Sequence, residues 1–292
     1  MVGSGARVGA GESPAAQTEL SPPIVKALAG RTTPKFLATL DAANVPNVVP
    51  ILSLEAADGR TVTFGELMIW KTRRNLEANP RVCVTVMSPA LQGWIVKGDF
   101  LEFQTSGPHF DHIMASDTFR YNAYAGIRSA AVIRVREVKG SFVLSQAGLL
   151  ADMLRSRWAA RRLRRRDRGV ALPAPVREKF GRLRAAKFLA YLDPDGYPVA
   201  VPAFSLVPAG RGSLVLAGRS AGVALAGLSP GVRVAVSVLT FEPLAYQVKG
   251  EFLGTERSLG RPVGLIRVDE VYSASPPLPG KRLAQRVPSA GP

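Results

Sequence analysis

The chain has 292 residues, about twice the material of an ordinary domain, and its 47% hydrophobic and 21% charged residues exclude a wholly disordered or fibrous protein. Lys and Arg number 38 against 22 Asp and Glu, and the net charge of +16 favours polyanions, anionic membrane surfaces or phosphorylated ligands as partners. A single cysteine, Cys83, excludes an intrachain disulfide, and with only His109 and His112 beside it no metal centre is expected.

Taken in chain order, residues 1–18 are Gly-, Ala- and Ser-rich without an apolar segment and are expected to form a disordered tail. Nowhere do about 18 uncharged apolar residues run together, which predicts no transmembrane segment and a soluble, cytoplasmic protein. A helix over 23–31 precedes short runs of β-branched and apolar residues, expected as strands at 36–40, 47–55, 60–64, 82–87, 94–104 and 131–138. Between them, 71–79 reads as a short helix that ends near Pro80, and Cys83 reads as a small buried core residue. Long crossover helices are missing, so the pattern favours a closed antiparallel barrel over a doubly wound sheet.

From 151 to 187 there are 13 basic residues and 3 acidic ones, with eight arginines and Trp158 between Arg155 and Arg168. This segment is expected to be a helical linker, 151–175. It is either a site for nucleic acid or an anionic surface, or a solvated connector whose arginines meet acidic groups nearby. A second helix, about 175–186, then opens a stretch that repeats the first. Shifted by 152 positions, residues 35–54 match 187–206 at 11 of 20 places, beginning Lys35-Phe36-Leu37-Ala38 and Lys187-Phe188-Leu189-Ala190. Val96-Lys97-Gly98 likewise meets Val248-Lys249-Gly250. Further on, Ile133-Arg134-Val135 meets Ile266-Arg267-Val268 at an offset of 133, so the second copy is 19 residues shorter there. The expected division is a first barrel with an insertion at 19–150, the linker, a second barrel at 176–274, and a disordered tail at 275–292.

Lys71, Thr72, Arg73 and Arg74 sit at the start of the 71–79 helix, where free backbone N–H groups and the positive dipole end favour an anion. The cluster suits a phosphate, and it equally suits an ordinary surface helix start. Phe64-Gly65-Glu66, then Lys71-Thr72, Asn75-Leu76, Asn79-Pro80-Arg81-Val82 and Val96-Lys97-Gly98, in that order, resemble the pyridoxamine 5'-phosphate oxidase-like family of FMN-binding split β-barrels. The resemblance spans 24–138 and, more faintly, 176–271. It implies a mainly β fold of two tandem antiparallel split barrels with short helices, paired as an intrachain pseudo-dimer. It also implies FMN in the cleft between them, with Lys71, Thr72, Arg73 and Arg74 at the phosphate and Val49, Pro50, Ile51 and Glu66 beside the ribityl chain and ring. The implied activity is an FMN-dependent oxidoreductase acting on a small molecule. A deazaflavin-dependent reductase and a non-catalytic flavin or haem binder are the alternatives within that fold.

In copy two, Val223-Ala224-Leu225 stand where copy one has Lys71-Thr72-Arg73, so one flavin per chain is expected. The extra residues of copy one, between Phe100 and Ile133, hold both histidines and several aromatics, and read either as a substrate lid or as a surface helix packed on the barrel. The lid reading offers His109, Arg120, Tyr121, Tyr124 and Arg128 as substrate-side residues, the arginines suiting an anionic substrate. A homodimer is a further possible assembly.

Overall fold

The computed structural model describes residues 17–116, 126–163, 169–217, 225, 227–242, 244–258, 260–276 and 278–286. The first half runs α1 (Pro22–Ala29), β1 (Lys35–Leu40), β2 (Pro46–Pro50), β3 (Glu55–Ala56), β4 (Thr61–Gly65), α2 (Trp70–Ala78), β5 (Arg81–Met87), β6 (Gln92–Gln104), α3 (Pro108–Ala115) and β7 (Ala130–Val143). Its strands form one antiparallel sheet in the order β2-β1-β5-β6-β7-β4-β3. After α4 (Gln146–Leu163) and α5 (Ala174–Gly181) come β8 (Ala186–Leu192), β9 (Pro198–Pro202), β10 (Val207–Ala209), β11 (Ser213–Ala217), β12 (Arg233–Leu239), β13 (Ala245–Ser258), β14 (Arg261–Ser273) and β15 (Arg282–Gln285). The second sheet has the order β10-β11-β14-β13-β12-β8-β9, with β15 added to β14. Read from β3, the first order matches the second strand for strand.

The expectation of a closed barrel is corrected: neither hydrogen-bonded ladder joins its first strand to its last. The physical reason lies in the edges. β2 lies against β8 and β12 of the second half, and β9 lies against β1, β5 and β6 of the first, so one edge strand of each sheet is covered by the other half instead of closing its own ring. The strand expected over 47–55 also breaks after Pro50. There, Lys35 is fully buried at the head of β1 and its Nζ donates to the carbonyls of Leu52 and Leu54, at 3.0 and 2.9 Å, holding the following turn. Lys187 does the same in the second half, donating to Phe204 and Leu206 at 3.1 and 2.9 Å. Burial pulls the amine of Lys35 down to about 8 and that of Lys187 to about 7.

Strand alternation explains how the halves join. On β1 and β5, Leu37, Val82 and Val84 point into the first half's own core with Ile24 and Leu28 of α1. Phe36, Ala38 and Cys83, on the other face, enter a core that belongs mainly to the second half. Phe36 stacks on Phe188, its counterpart 152 positions on, with ring centroids 4.3 Å apart. Cys83 is a free, buried thiol, pushed up by burial, which fits the core reading. Gly98 is required by the fold: a Cβ there would meet the Arg134 carbonyl at 2.7 Å where β6 and β7 shift register, and Gly250 faces the Arg267 carbonyl more tightly still.

Two further expectations differ from the structure. The helix expected to begin at 151 starts at Gln146, and its buried face (Met153, Ser156, Ala159, Ala160) packs on β10, β11 and β14, so α4 is part of the second half's core. The 275–292 stretch, expected to be disordered from its composition, contains β15, because Glu270 and Val271 offer an edge to Gln285 and Ala284. Residues 1–16 and 287–292 of the expected tails lie outside the described residues.

Charged contacts across the junction repeat in related positions but with unequal strength. Lys97, 1% exposed, reaches Asp193 at 2.7 Å and also Asp195, while its counterpart Lys249 stands 3.8 Å from Asp41. Burial alone would lower the Lys97 amine, but Asp193 and Asp195 hold it up at about 12. Replacing both aspartates (D193N/D195N) is expected to cost about 3–5 kcal/mol in denaturant unfolding, because a buried ammonium loses its counter-charges. Lys97→Met should cost less, since Asp193 keeps Lys139.

Candidate functional site

The junction opens on one side into a cleft of about 160 Å³. From the first half come Asn47, Val49 and Ile51 of β2 and the turn after it, then Leu67 to Thr72 at the start of α2; from the second come Gln247 of β13, Tyr272 of β14 and the segment through Gly280. The α2 start is unusual in its backbone. Met68, an unbranched but bulky residue, is held at φ 55°, a left-handed conformation that costs energy outside glycine. Ile69 then occupies the cap position with no side-chain hydrogen bond to the helix, so the first N–H groups of α2 are not satisfied by a capping side chain.

Lys71 projects from this turn. Its Nζ lies 3.6 Å from the centre of the Tyr272 ring and 3.5 Å from Gln247 Oε1, and it forms no ion pair among the described residues. Burial, then the neighbouring charge of Lys249, with Arg282 adding to it, bring its amine down to about 7 despite the opposing pull of Glu270. Glu270 and Asp41 thus act on the amine from a distance, and neither forms an ion pair with it among the described residues. Thr72 is buried beside it. Behind them Asn47 and Asn75 both donate to Thr39 Oγ1, at 3.4 and 3.0 Å, which leaves Asn47 Oδ1, a buried acceptor on a cleft-lining residue, without a partner.

Other sequence-predicted residues lie elsewhere. Val49 and Ile51 line the cleft; Pro50 points away along β2, as the alternation of a strand requires. Glu66 is buried at the end of β4, where Arg73 Nη1 and Ser129 Oγ donate to Oε2, both at 2.6 Å. Burial would raise that carboxyl, yet the Ser129 and Arg73 hydrogen bonds hold it below the usual carboxylate range. Arg73 also bonds Glu77 and stacks on Phe103, so its guanidinium is committed away from the cleft, and Arg74 is exposed and outside it. Of the basic cluster, only Lys71 and Thr72 face the cleft.

The insertion is only partly within the described residues: Arg120, Tyr121 and Tyr124 lie outside them. His109 sits on α3 and does not line the cleft; His112 Nε2 stands 3.6 Å from Glu55 Oε2. His109 and Asp111, two apart on a helix, do not face one another. α3 is anchored by Ile113, packed with Ala130, Leu67, Phe110 and Ile127. Arg128 lies over the Trp70 ring at 4.5 Å, at the rim of the cleft, because Trp70 is a lining residue.

Sequence reading missed Gln247 and Tyr272. Gln247 is buried and donates to the Val48 carbonyl at 2.6 Å, bracing β2 from across the junction. The signal was a difference between the copies: at the two offsets the first copy has Ile95 for Gln247 and Lys139 for Tyr272. Among the described residues no group of His, Cys, Asp and Glu is placed to hold a metal ion.

The fold and this junction define a class, a split β-barrel paired with a second one in the same chain. Residues 23–144 match the family model described as pyridoxamine 5'-phosphate oxidase. Similar solved structures include an FMN-binding protein from Syntrophomonas wolfei subsp. wolfei (16% identity, 42% of this chain and 85% of that one, TM-score 0.36). HupZ of Group A Streptococcus is 22% identical over 44% of this chain and 95% of its own, with a TM-score of 0.35. HutZ of Vibrio cholerae, described as a heme storage protein, is 19% identical over 42% and 93%, with a TM-score of 0.31. No curated protein matches the chain.

A charge-assisted contact to Lys71 makes binding of a phosphate ester depend on pH in a determined direction. With the free amine at about 7, the ammonium is present below that pH, and above it binding must take up a proton. The affinity of any phosphate ester held at Lys71 is therefore expected to fall by about tenfold per pH unit above pH 7 until the amine's bound-state value is reached. Titrations from pH 7 to 9 check this, and Lys71→Ala should flatten the profile.

Proposed function

We propose that the cleft binds FMN through Lys71 and Thr72 and that the protein is a flavin-dependent oxidoreductase acting on a small molecule. The observation that carries this reading is the half-buried Lys71 amine, which forms no ion pair among the described residues and stands beside an uncapped helix start, with Lys249 and Arg282 adding positive charge against Glu270 and Asp41. A phosphate dianion supplies the negative charge that such a site lacks, and backbone N–H groups at a helix start bind it without further side chains. The orphaned Asn47 Oδ1 accepts a hydrogen bond, which a ribityl hydroxyl or a ring N–H provides. When bound, FMN supplies the electron-accepting ring, and the chain's part is to hold, orient and desolvate it.

Each residue then has a definite task. Lys71 is the phosphate's counter-ion. Gln247 keeps β2 at its depth by its bond to Val48, so that Val49 and Ile51 present an apolar wall. Trp70, half-exposed and covered by Arg128, forms the rim at which a substrate arrives. A ligand pocket usually encloses roughly 300–1,000 Å³. The cleft holds about 160 Å³ and is open on one side, so it encloses part of a flavin nucleotide and leaves the rest toward solvent. His109 and His112 lie off the cleft, which weighs against haem held there by a histidine. A deazaflavin carries phosphate as well and would use the same lysine.

The purified protein reconstituted with FMN is expected to show a two-band flavin spectrum and one flavin per chain after release. A deazaflavin spectrum, or no retained flavin, would reject the reading. Lys71→Ala is expected to weaken FMN by roughly ten- to a hundred-fold, as for the loss of a hydrogen bond to a charged group, with Lys71→Arg retaining part of the affinity.

A further inference from the structure

We propose that the outward face of α4, with the neighbouring turns at Leu183 and Phe241, docks the protein on an anionic phospholipid surface. The inner face of α4 is fully engaged: Met153, Ala159 and Ala160 are buried, and Ser156 Oγ accepts a hydrogen bond from the Ala217 N–H at 2.9 Å. The outer face is not what a solvated helix presents. Leu150, Leu154 and Trp158, spaced four apart and hence on one stripe, are 48%, 57% and 43% exposed. Arg157, Arg161 and Arg162 are exposed beside them.

The stripe continues beyond the helix. Arg157 Nη2 donates to the Gly181 carbonyl at 3.1 Å, which brings the turn after α5 alongside, and Leu183 there is 42% exposed. Arg182 ties that turn to Glu242 by bonds of 2.7 and 2.8 Å, next to Phe241, which is 85% exposed. The same guanidinium also holds Glu178 at 2.7 Å. Glu178 and Glu242 are thereby paired with one arginine, Glu256 lies near Arg162, and Arg157, Arg161, Arg162 and Arg184 form no ion pair among the described residues.

The combination selects the partner. Leucine and tryptophan on one side of a helix, flanked by arginine and continued by a leucine and a phenylalanine on neighbouring turns, are the chemistry of a surface-lying helix: the apolar side chains enter the acyl boundary while the guanidiniums meet headgroup phosphates. A nucleic acid would use the arginines but leave Leu150, Leu154 and Leu183 without a role. This inference is independent of the flavin reading, for none of the α4 residues or of Leu183 and Phe241 lines the cleft.

The test is sedimentation of the full chain with vesicles of phosphatidylglycerol and phosphatidylcholine, against vesicles of phosphatidylcholine alone. Binding is expected to the anionic vesicles only and to weaken with salt. Reversing three charges, R157E/R161E/R162E, is expected to lower partitioning by about a hundredfold. L154S/W158S should lower it as well; both sets of changes are exposed, and circular dichroism checks that the fold persists. Equal binding to both vesicle types, or none, overturns the proposal. So does tight binding to duplex DNA that L154S/W158S leaves unchanged, which would make the face a nucleic-acid site. A dimer in solution that L154S/W158S dissociates would overturn it in favour of a second copy of the chain.

Discussion

Everything at the junction depends on β1 and β8 being buried on both faces. A strand in an open sheet normally turns one face to water, and here the outward face of each carries a phenylalanine that packs on its counterpart, Phe36 on Phe188. With that stack in place, β2 and β9 are pressed against the opposite half, and neither sheet needs to close on itself. The same contact sets the depth of the cleft, because the strand that supplies Asn47, Val49 and Ile51 is the one pressed across the junction. Lys35 and Lys187 complete the arrangement by satisfying turn carbonyls that would otherwise be buried without donors.

The two halves share a frame but divide the work. One provides the α2 start with Lys71; the other provides Gln247 and Tyr272, which brace and cover it. In a symmetric homodimer every such choice would be made twice, and a residue chosen to cover one site would have to be tolerated at the other. In one chain the two contributions are free to differ. The charged pairs differ likewise, Lys97 tightly bound by two aspartates and Lys249 loosely by one.

Much of the fold was legible because its causes are local. Alternating β-branched runs mark the strands, Pro80 ends α2, and the repeated Lys-Phe-Leu-Ala and Val-Lys-Gly segments turn out to be a carbonyl-capping lysine and a glycine demanded by a register shift. Lys71 and Thr72 were legible for the same reason, as neighbours at a helix start. Arg73 was not, since nothing in the spacing says that Glu66, seven residues earlier, is buried nearby and claims its guanidinium. Gln247 and Tyr272 escaped because they act across the junction, and only the tertiary packing brings them to a helix about 200 residues away. The break after Pro50 and the start of α4 depend equally on distant partners, a buried amine in one case and the surface of β10 and β11 in the other.

The covalent link between the halves alters how the cleft responds to dilution. A site shared between separate subunits vanishes as the subunits part, so its occupancy follows protein concentration by mass action. Here the second wall is tethered to the first, and each faces an effective local concentration set by the connecting chain. The cleft therefore assembles as a unimolecular event, as complete in a cell that holds a few copies of the protein as in one that holds thousands.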